Sequence, residues 1–219
     1  MASIARLDGK FALITGASSG IGAGAAILFS KLGAEVAITG RNVDNLAKTA
    51  AECEKGNGKK PFTFSGDLTN EDFVKRLVKE AVNRYGKLDI LVNNAGIVKT
   101  GTIEMTSLEQ YDDTMNINVR AIYHLTMLAV PHLIQTKGNI VNVSSVNGVR
   151  SFDGVLPYCM SKSAIDQFTR CTAIVSRALQ NNACARTIRS GGGGGQYDCF
   201  PGFRQRLLHH GGANASRWR

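Results

Sequence analysis

Two residues with complementary chemistry, Tyr158 and Lys162, lie four positions apart in one segment of the chain. Four positions are about one turn of a helix, so both side chains would face the same side. A cation close to a phenol favours the phenolate and makes the phenol a better proton donor. Taken alone, this spacing would more often describe a surface pair, and it is the other motifs that favour an acid–base role.

A glycine-rich turn stands far upstream of this pair. Gly16, Gly20 and Gly22 have the spacing Gly-x-x-x-Gly-x-Gly between a short apolar run and a predicted helix. Missing Cβ atoms let the backbone turn sharply and approach a pyrophosphate, and a helix N-terminus supplies N–H groups. The turn predicts a dinucleotide site, although a strand-to-helix turn without a ligand could have the same composition. Together with Tyr158 and Lys162, it indicates hydride transfer at a carbonyl carbon.

Elements that could position these groups alternate along the chain. The predicted strands cover 11–15, 35–39, 61–65, 88–92 and 138–144. The predicted helices cover 21–32, 108–135 and 157–179, with a further helix from 42 or 43 to about 55 and another that starts at 69 or 70. Almost continuous apolar strands between helices are typical of a parallel sheet covered on both faces. The sequence therefore predicts an α/β fold with a doubly wound parallel sheet (Rossmann fold), whose sites form at the carboxyl ends of the strands.

Over roughly residues 6–174 the chain resembles the short-chain dehydrogenase/reductase family. The run Thr-Gly-Ala-Ser-Ser-Gly-Ile-Gly at 15–22 is similar to that family's cofactor turn, and Asn-Asn-Ala-Gly at 93–96 is similar to its segment after the fourth strand. Asn118, Ser145, Tyr158 and Lys162 match its four catalytic positions. The resemblance implies an oxidoreductase that transfers a hydride between NAD(P) and a carbonyl or alcohol substrate, working as a homotetramer or dimer through helices 108–135 and 157–179.

The resemblance also implies a role for each catalytic position. Tyr158 would give a proton to the substrate oxygen in reduction and take it back in oxidation, while Lys162 would make the phenol more acidic and bind the nicotinamide ribose. Ser145, thirteen residues before the tyrosine, would orient the substrate oxygen, and Ser144 would be a structural hydroxyl at the strand end. Asn118 would hold a water that links Lys162 to bulk solvent, although an asparagine within a helix could simply be solvated.

The predicted cofactor-binding residues follow the first four strands, together with the catalytic tyrosine and lysine. They are Gly16, Ser18, Ser19, Gly20, Ile21, Gly22, Arg41, Asp67, Leu68, Asn94, Ala95, Gly96, Tyr158 and Lys162. The resemblance implies that Asp67 contacts the adenine ring with Leu68 beside it, although an acid near a helix N-terminus could also bind amide donors. It further implies that Asn94 stabilises the central sheet.

The cofactor preference depends on Arg41, which follows the second strand. An acidic residue at this place would bind the ribose 2′-hydroxyl of NAD. A guanidinium can instead pair with a 2′-phosphate in a charge-assisted contact. The sequence therefore favours NADP over NAD, and the alternative is a solvated arginine near the next helix.

The net charge of +9 suggests a nucleic-acid binder at first sight, but its distribution argues against this class. Residues 1–174 carry a net charge of only +3, whereas residues 175–219 contain seven Arg, no Lys and one Asp. No apolar run approaches the length of a membrane span, and no secretory signal or metal-like cysteine and histidine spacing is evident. We therefore expect a cytoplasmic protein with a small-molecule substrate and without metal, membrane or nucleic-acid partners.

Residues 175–219 form an atypical Gly/Arg-rich tail without apolar periodicity. We predict a catalytic domain over 1–174 and poor order in this tail, which contains five consecutive glycines. Three interpretations stay open: an out-of-frame or spliced product, a divergent folded end, or a basic arm for acidic surfaces. Because no sixth strand is clear, the sheet is expected to be incomplete after strand five, and an open edge would lower stability and activity.

Overall fold

The structure is a computed structural model that describes the backbone of residues 6–180 and 184–190 and the side chains of residues 6–173. The strands are β1 (Phe11–Thr15), β2 (Glu35–Gly40), β3 (Phe62–Ser65), β4 (Ile90–Asn93), β5 (Asn139–Ser145) and β6 (Cys184–Ser190). They form one parallel sheet in the order β3-β2-β1-β4-β5-β6. The order reverses between β1 and β4, which is where doubly wound sheets open a crevice for ligands.

Helices connect the strands on both faces of the sheet. They are α1 (Gly20–Lys31), α2 (Val43–Asn57), α3 (Glu71–Tyr85), α4 (Leu108–Met115), α5 (Ala121–Thr136) and α6 (Leu156–Gln180). Side-chain caps explain several of the starts: Asn42, Asn70 and Ser107 each accept a hydrogen bond from the backbone N–H three residues later. The helix boundaries predicted from the sequence lie within a few residues of these.

The apolar core consists of two layers, one on each face of the sheet. Leu13 of β1 packs in the layer with α3 and α5, whereas its neighbour Ile14 packs in the layer with α1 and α2. Alternate residues of a strand point to opposite faces, so a strand covered on both sides needs an apolar residue at nearly every position. This explains why the strands read as continuous apolar runs in the sequence.

The long helix predicted over 108–135 is interrupted in the middle. A π-helical turn, Asn116–Arg120, joins α4 to α5, and the backbone N–H of Ala121 donates to the carbonyl oxygen of Asn116. Pro131 lies inside α5, which continues to Thr136. A π-helical turn adds one residue to the local repeat and often occurs at functional sites. Periodicity alone does not reveal it, because the flanking segments keep a helical pattern.

The predicted open edge after the fifth strand is wrong for the described residues. β6 pairs with β5 over its whole length, from Cys184 opposite Asn139 to Ser190 opposite Ser145. The sequence Cys-Ala-Arg-Thr-Ile-Arg-Ser hides this strand, since two arginines in seven residues break the apolar run expected of a buried strand. The sheet of the described residues therefore ends at β6 rather than at β5, and the weak activity and poor stability stay predictions.

The predicted domain boundary after residue 174 falls inside α6, which continues to Gln180. The described part of the chain thus extends the helix and adds β6 beyond that boundary. The glycine run at 191–195 and the proposed basic arm at the end of the chain lie outside the described residues.

Candidate active site

The glycine-rich turn between β1 and α1 packs against the segment that follows β4. Gly16 has a φ of +64°, and a Cβ atom on it would lie 2.8 Å from the Cα of Ala95. A Cβ atom on Gly22 would collide with the carbonyl oxygen of Gly16 and the side-chain amide of Asn94. Only glycine fits at these two positions, so the turn has the close backbone approach that its sequence indicates.

Thr15 and Asn94 hold this turn to the centre of the sheet. The Thr15 hydroxyl accepts hydrogen bonds from the backbone N–H groups of Asn94 and Ala95, at 3.0 and 3.1 Å. The side-chain amide of Asn94 donates to the carbonyl oxygens of Thr15 and Gly16, at 3.0 and 3.2 Å. These bonds tie the ends of β1 and β4 together, in keeping with the stabilising role expected for Asn94.

A cleft of about 570 Å³ opens beside the turn, where β1, β2, β3 and β4 end. Ten of the predicted cofactor-binding residues line it: Gly16, Ser18, Ser19, Ile21, Arg41, Asp67, Leu68, Asn94, Ala95 and Gly96. Gly20, Gly22, Tyr158 and Lys162 are not part of its lining. The cleft coincides with the reversal of strand order between β1 and β4, so it is the crevice in which such sheets bind ligands.

Arg41 and Asp67 lie at the wall of the cleft formed by the ends of β2 and β3. Arg41 is exposed to solvent. Asp67 accepts hydrogen bonds from the backbone N–H and the hydroxyl of Thr69, at 2.8 and 2.9 Å. The local hydrogen-bonding role that the sequence allows for Asp67 is therefore present, and the residue lines the cleft as well.

Lys162 is buried on α6, with 4% of its surface exposed. Its ammonium group donates a 2.8 Å hydrogen bond to the carbonyl oxygen of Val143 and lies 5.6 Å from the centre of the Tyr158 ring. A Cβ atom on Gly96 would lie 3.7 Å from this nitrogen, so the lysine reaches the wall of the cleft. Burial lowers the pKa of Lys162 to about 8, and the negative charge of Asp166 opposes that shift.

Ser145 ends β5, while Tyr158 lies half-buried in the first turn of α6. The Ser145 hydroxyl donates to the side-chain oxygen of Asn147 at 3.1 Å and accepts from the Asn147 backbone N–H at 3.2 Å. Ser144 is fully buried, and its hydroxyl points to the carbonyl oxygen of Lys162 at 3.4 Å. This placement agrees with a structural Ser144, whereas the contact of Ser145 with a substrate stays a prediction.

Asn118 is fully buried within the π-helical turn, so it is not the solvated asparagine that the sequence left open. Its side-chain oxygen accepts from the backbone N–H of Ile97 at 2.8 Å. Its amide donates to the carbonyl oxygen of Ile97 at 2.8 Å and to the hydroxyl of Ser161 at 3.0 Å. Asn118 thereby joins the segment after β4 to α6, the helix that carries Tyr158 and Lys162.

Among residues 6–180 and 184–190, no helix is long and apolar enough to cross a membrane. Within the same residues, no three His, Cys, Asp or Glu side chains are grouped so that they could hold a metal ion.

Known proteins resemble this chain in sequence and in fold. The family model described as short chain dehydrogenase matches residues 10–179. The chain belongs to the short-chain dehydrogenase/reductase family. As a member, it is an oxidoreductase of the NAD(P)-dependent dehydrogenase/reductase type, as the resemblance in the sequence implies.

Two relatives illustrate the range of this family. The 3-oxoacyl-acyl-carrier-protein reductase of Thermotoga maritima is 37% identical over 184 residues, which cover 82% of this chain and 74% of that protein. The 3beta-hydroxysteroid dehydrogenase of Mediterraneibacter gnavus is 39% identical over 170 residues, which cover 77% of this chain and 61% of that protein.

Solved structures of the family superpose closely on this chain. A short-chain dehydrogenase/reductase of Caenorhabditis elegans, determined with cofactor, gives a TM-score of 0.78 at 35% identity and covers 84% of this chain and 70% of its own. A double mutant of the Serratia marcescens short-chain dehydrogenase/reductase gives a TM-score of 0.79 at 31% identity and covers 84% of this chain and 74% of its own. These likenesses confirm the Rossmann-type fold.

Sequence reasoning missed six residues that line the cleft of this short-chain dehydrogenase/reductase. They are Gly40, Asn42, Asn45, Gly66, Ile97 and Ile117. Gly40 and Gly66 end or follow strands, so the rule that sites form at carboxyl strand ends could have found them. Gly40 is also constrained, because a Cβ atom there would collide with the Ser18 hydroxyl. Ile117 had no such signal, since its place depends on the π-helical turn.

Proposed function

We propose that this short-chain dehydrogenase/reductase transfers a hydride between NADP(H) and a carbonyl or alcohol substrate, with Tyr158 as the acid–base residue. The observation that supports it most is the position of Lys162, whose buried ammonium lies near both the Tyr158 ring and Gly96 at the cleft wall. A cation there favours the ionised phenol and can also bind a ribose hydroxyl in the cleft.

The residues around the cleft suit a pyrophosphate. Ser19 stands at the N-cap of α1 but makes no side-chain capping bond, unlike Asn42, Asn70 and Ser107 at the starts of their helices. The first N–H groups of α1 are therefore not capped by this side chain and can bind an anion, with the positive end of the helix dipole behind them. Because Gly16 has no Cβ atom, its backbone can lie close to the bound pyrophosphate.

Each catalytic position then has a defined task. A bound nicotinamide would supply or accept the hydride. Tyr158 would give its proton to the carbonyl oxygen in reduction, and Ser145 would orient that oxygen through its hydroxyl. Lys162 would place its positive charge beside the phenol and hold the ribose. Ile97 and Ser161 occupy both amide N–H groups of Asn118, so its side-chain oxygen, which also accepts from Ile97, would hold the water that links Lys162 to bulk solvent.

The preference for NADP is carried by Arg41, an exposed cation at the cleft wall. Arg41→Ala is expected to raise the Kd for NADPH about 10- to 100-fold, since a hydrogen bond to a charged group contributes ~1.5–3 kcal/mol. The Kd for NADH should stay within about twofold, because NADH lacks the 2′-phosphate. Fluorescence titration measures both constants, with the exposed Arg76→Ala on α3 as the matched control. An equal increase in the Kd values for NADPH and NADH would contradict the assignment of Arg41 to the 2′-phosphate.

The function is tested by titrating NADPH and then assaying a panel of ketones with the purified full chain. The panel should contain a 3-oxoacyl thioester and a 3-oxosteroid, because the names of two relatives point to these classes. Turnover of any ketone supports the proposal. Binding without turnover supports the alternative, a catalytically inactive isoform that binds cofactor or a full-length partner. The cytoplasmic location stays a prediction from the sequence.

An oligomer through α5 and α6 belongs to the same proposal. Tyr123 and Met127 on α5 and Met160 on α6 leave 59%, 53% and 45% of their surfaces exposed. The rings of Tyr123 and Phe168 lie 5.8 Å apart, so apolar surface continues from one helix to the other. Exposed apolar surface of this kind marks contact sites. A dimer or tetramer in sedimentation velocity would support the proposal, and a monomer at micromolar concentration would contradict it.

A further inference from the structure

We propose that the substrate is a bulky, uncharged ketone, whose apolar part lies on a rim beside Tyr158. The proposal rests on the proposed function, since it concerns the substrate of the same site. The rim consists of two segments, residues 97–106 after β4 and residues 146–155 after β5. Both follow the carboxyl ends of neighbouring parallel strands, so they leave the sheet at the edge where ligands bind.

Contacts with α6 hold the start of both segments close to Tyr158. The first segment begins beside Lys162, because a Cβ atom on Gly96 would lie 3.7 Å from the lysine nitrogen. In the second segment, the carbonyl oxygen of Gly148 accepts a 2.8 Å hydrogen bond from the hydroxyl of Ser163. Lys162 and Ser163 lie about one turn after Tyr158. Both segments therefore begin at the turn of α6 that follows the tyrosine.

A backbone bridge joins the two segments on the N-terminal side of Tyr158. The N–H of Gly101 donates to the carbonyl oxygen of Gly154 at 2.7 Å, and Gly101 also forms an isolated parallel bridge with Val155. Val155 directly precedes α6, and its carbonyl oxygen accepts a 3.0 Å hydrogen bond from the N–H of Cys159 in the first helical turn. The segments start after the tyrosine along α6 and meet before it, so they form one continuous rim beside the phenol.

The rim exposes apolar side chains to solvent. Ile103 and Met105 lie in a hydrogen-bonded turn at 102–106 and leave 79% and 76% of their surfaces exposed. Val149 and Phe152 of the second segment leave 57% and 50% exposed. Exposed apolar residues that gather in one place mark ligand-binding or interaction sites. Because this rim is continuous with the turn of α6 that carries the acid–base residue, its occupant is the substrate.

The charges of the rim favour an uncharged substrate. The two segments contain two cations and two acids, so their net charge is zero. These charged residues are Lys99, Arg150, Glu104 and Asp153. Lys99 already forms an ion pair with Asp113 of α4. A substrate with phosphate groups needs a surplus of cations around it, which these two segments do not supply. The rim therefore fits a neutral ketone better than a thioester on a phosphate-bearing carrier.

A series of ketones tests this preference with the purified full chain. Cyclohexanone, 2-decalone and a 3-oxosteroid present the same functional group on an increasing number of fused rings. We expect kcat/KM to rise about tenfold at each step, because a larger apolar area contacts the rim. The steroid should also be reduced with a higher kcat/KM than acetoacetyl-CoA, a thioester that carries phosphates. Calorimetry with NADP⁺-saturated protein measures binding of each ketone without turnover.

Variants of the rim test whether its apolar side chains cause the preference. Met105→Gln and Phe152→Ala are each expected to lower the ratio of kcat/KM for the steroid to that for cyclohexanone about tenfold. Met105→Leu is the matched control, because it keeps an apolar side chain of similar size, and it should retain this ratio within about threefold. Leu28→Ala, at an exposed position of α1 outside the two segments, should leave both kcat/KM values within about twofold of the wild type.

An unchanged ratio in both Met105→Gln and Phe152→Ala would overturn the inference, as would a wild-type preference for cyclohexanone or acetoacetyl-CoA. A lower sedimentation coefficient in either variant would mean that a second copy of the chain covers the rim, which also contradicts the inference. Wild-type protein that binds the steroid through Met105 and Phe152 in calorimetry, yet turns over no ketone, would support the rim and refute the proposed function. Neither binding nor turnover would refute both.

Discussion

Tyr158→Phe is expected to lower the rate of ketone reduction about 10²- to 10⁴-fold while leaving the Kd for NADPH almost unchanged. Loss of a positioned general acid has effects of this size. The substitution removes one oxygen and keeps the ring, whose centre lies 5.6 Å from the ammonium group of Lys162. Steady-state kinetics with a ketone from the panel, together with fluorescence titration of NADPH, measures both quantities.

Tyr85→Phe is the matched control for this experiment. Tyr85 ends α3 and stacks on Phe11 with 4.0 Å between the ring centres, away from the residues that line the cleft. Its phenylalanine variant should therefore keep the wild-type rate. A Tyr158→Phe protein that reduces the ketone at an undiminished rate would falsify the acid–base role. A rate loss accompanied by an equal loss of NADPH affinity would point to a damaged cleft instead.

The part of the site that could be predicted from the sequence depends on local patterns. In an alternating β/α chain, a Gly-rich turn after an apolar strand predicts a strand-to-helix turn at the edge of the sheet, and the Tyr-x-x-x-Lys spacing predicts two side chains on one helix face. Ten of the predicted cofactor residues accordingly line one cleft, although they come from four separate strand ends. Parallel topology brings these ends to the same edge of the sheet, so spacing along the chain was sufficient.

What could not be predicted depends on contacts between distant segments. Asn118 is buried because it bonds the backbone of Ile97, and that contact is compatible with the π-helical turn between α4 and α5. The sequences of α4 and α5 carry no composition signal for the π-helical turn. β6 was missed for a related reason, since its pairing partner β5 compensates for a weak apolar pattern. In both cases tertiary context overrides local preference.

The second large effect concerns Lys162, because the buried ammonium group that we propose for catalysis should lower the stability of the folded state. Its ammonium is buried, and the pKa falls from the ordinary 10.5 to about 8. Between these two pH values the unfolded chain holds a proton that the folded chain has released. The free energy of unfolding therefore rises with pH across this window, and below pH 8 the folded state carries the full cost of the buried charge.

Lys162→Met is consequently expected to abolish most ketone reduction and yet raise the free energy of unfolding at pH 7 by about 1–3 kcal/mol. One pKa unit corresponds to ~1.4 kcal/mol, and loss of the hydrogen bond to Val143 offsets about 1 kcal/mol of the gain. Urea titration without cofactor at pH 7 and pH 10 measures both the gain and its decrease with pH. Lys79→Met, exposed on α3, should stay within about 0.5 kcal/mol of the wild type.

A Lys162→Met protein that is less stable than the wild type at pH 7 would mean that the ammonium is held by stronger interactions than its bond to Val143 and the charge of Asp166. The expected result, a more stable but inactive protein, has a direct physical meaning. A residue that is kept at a cost to folding stability is a candidate for a functional role, so this result would support the catalytic role that we propose for Lys162.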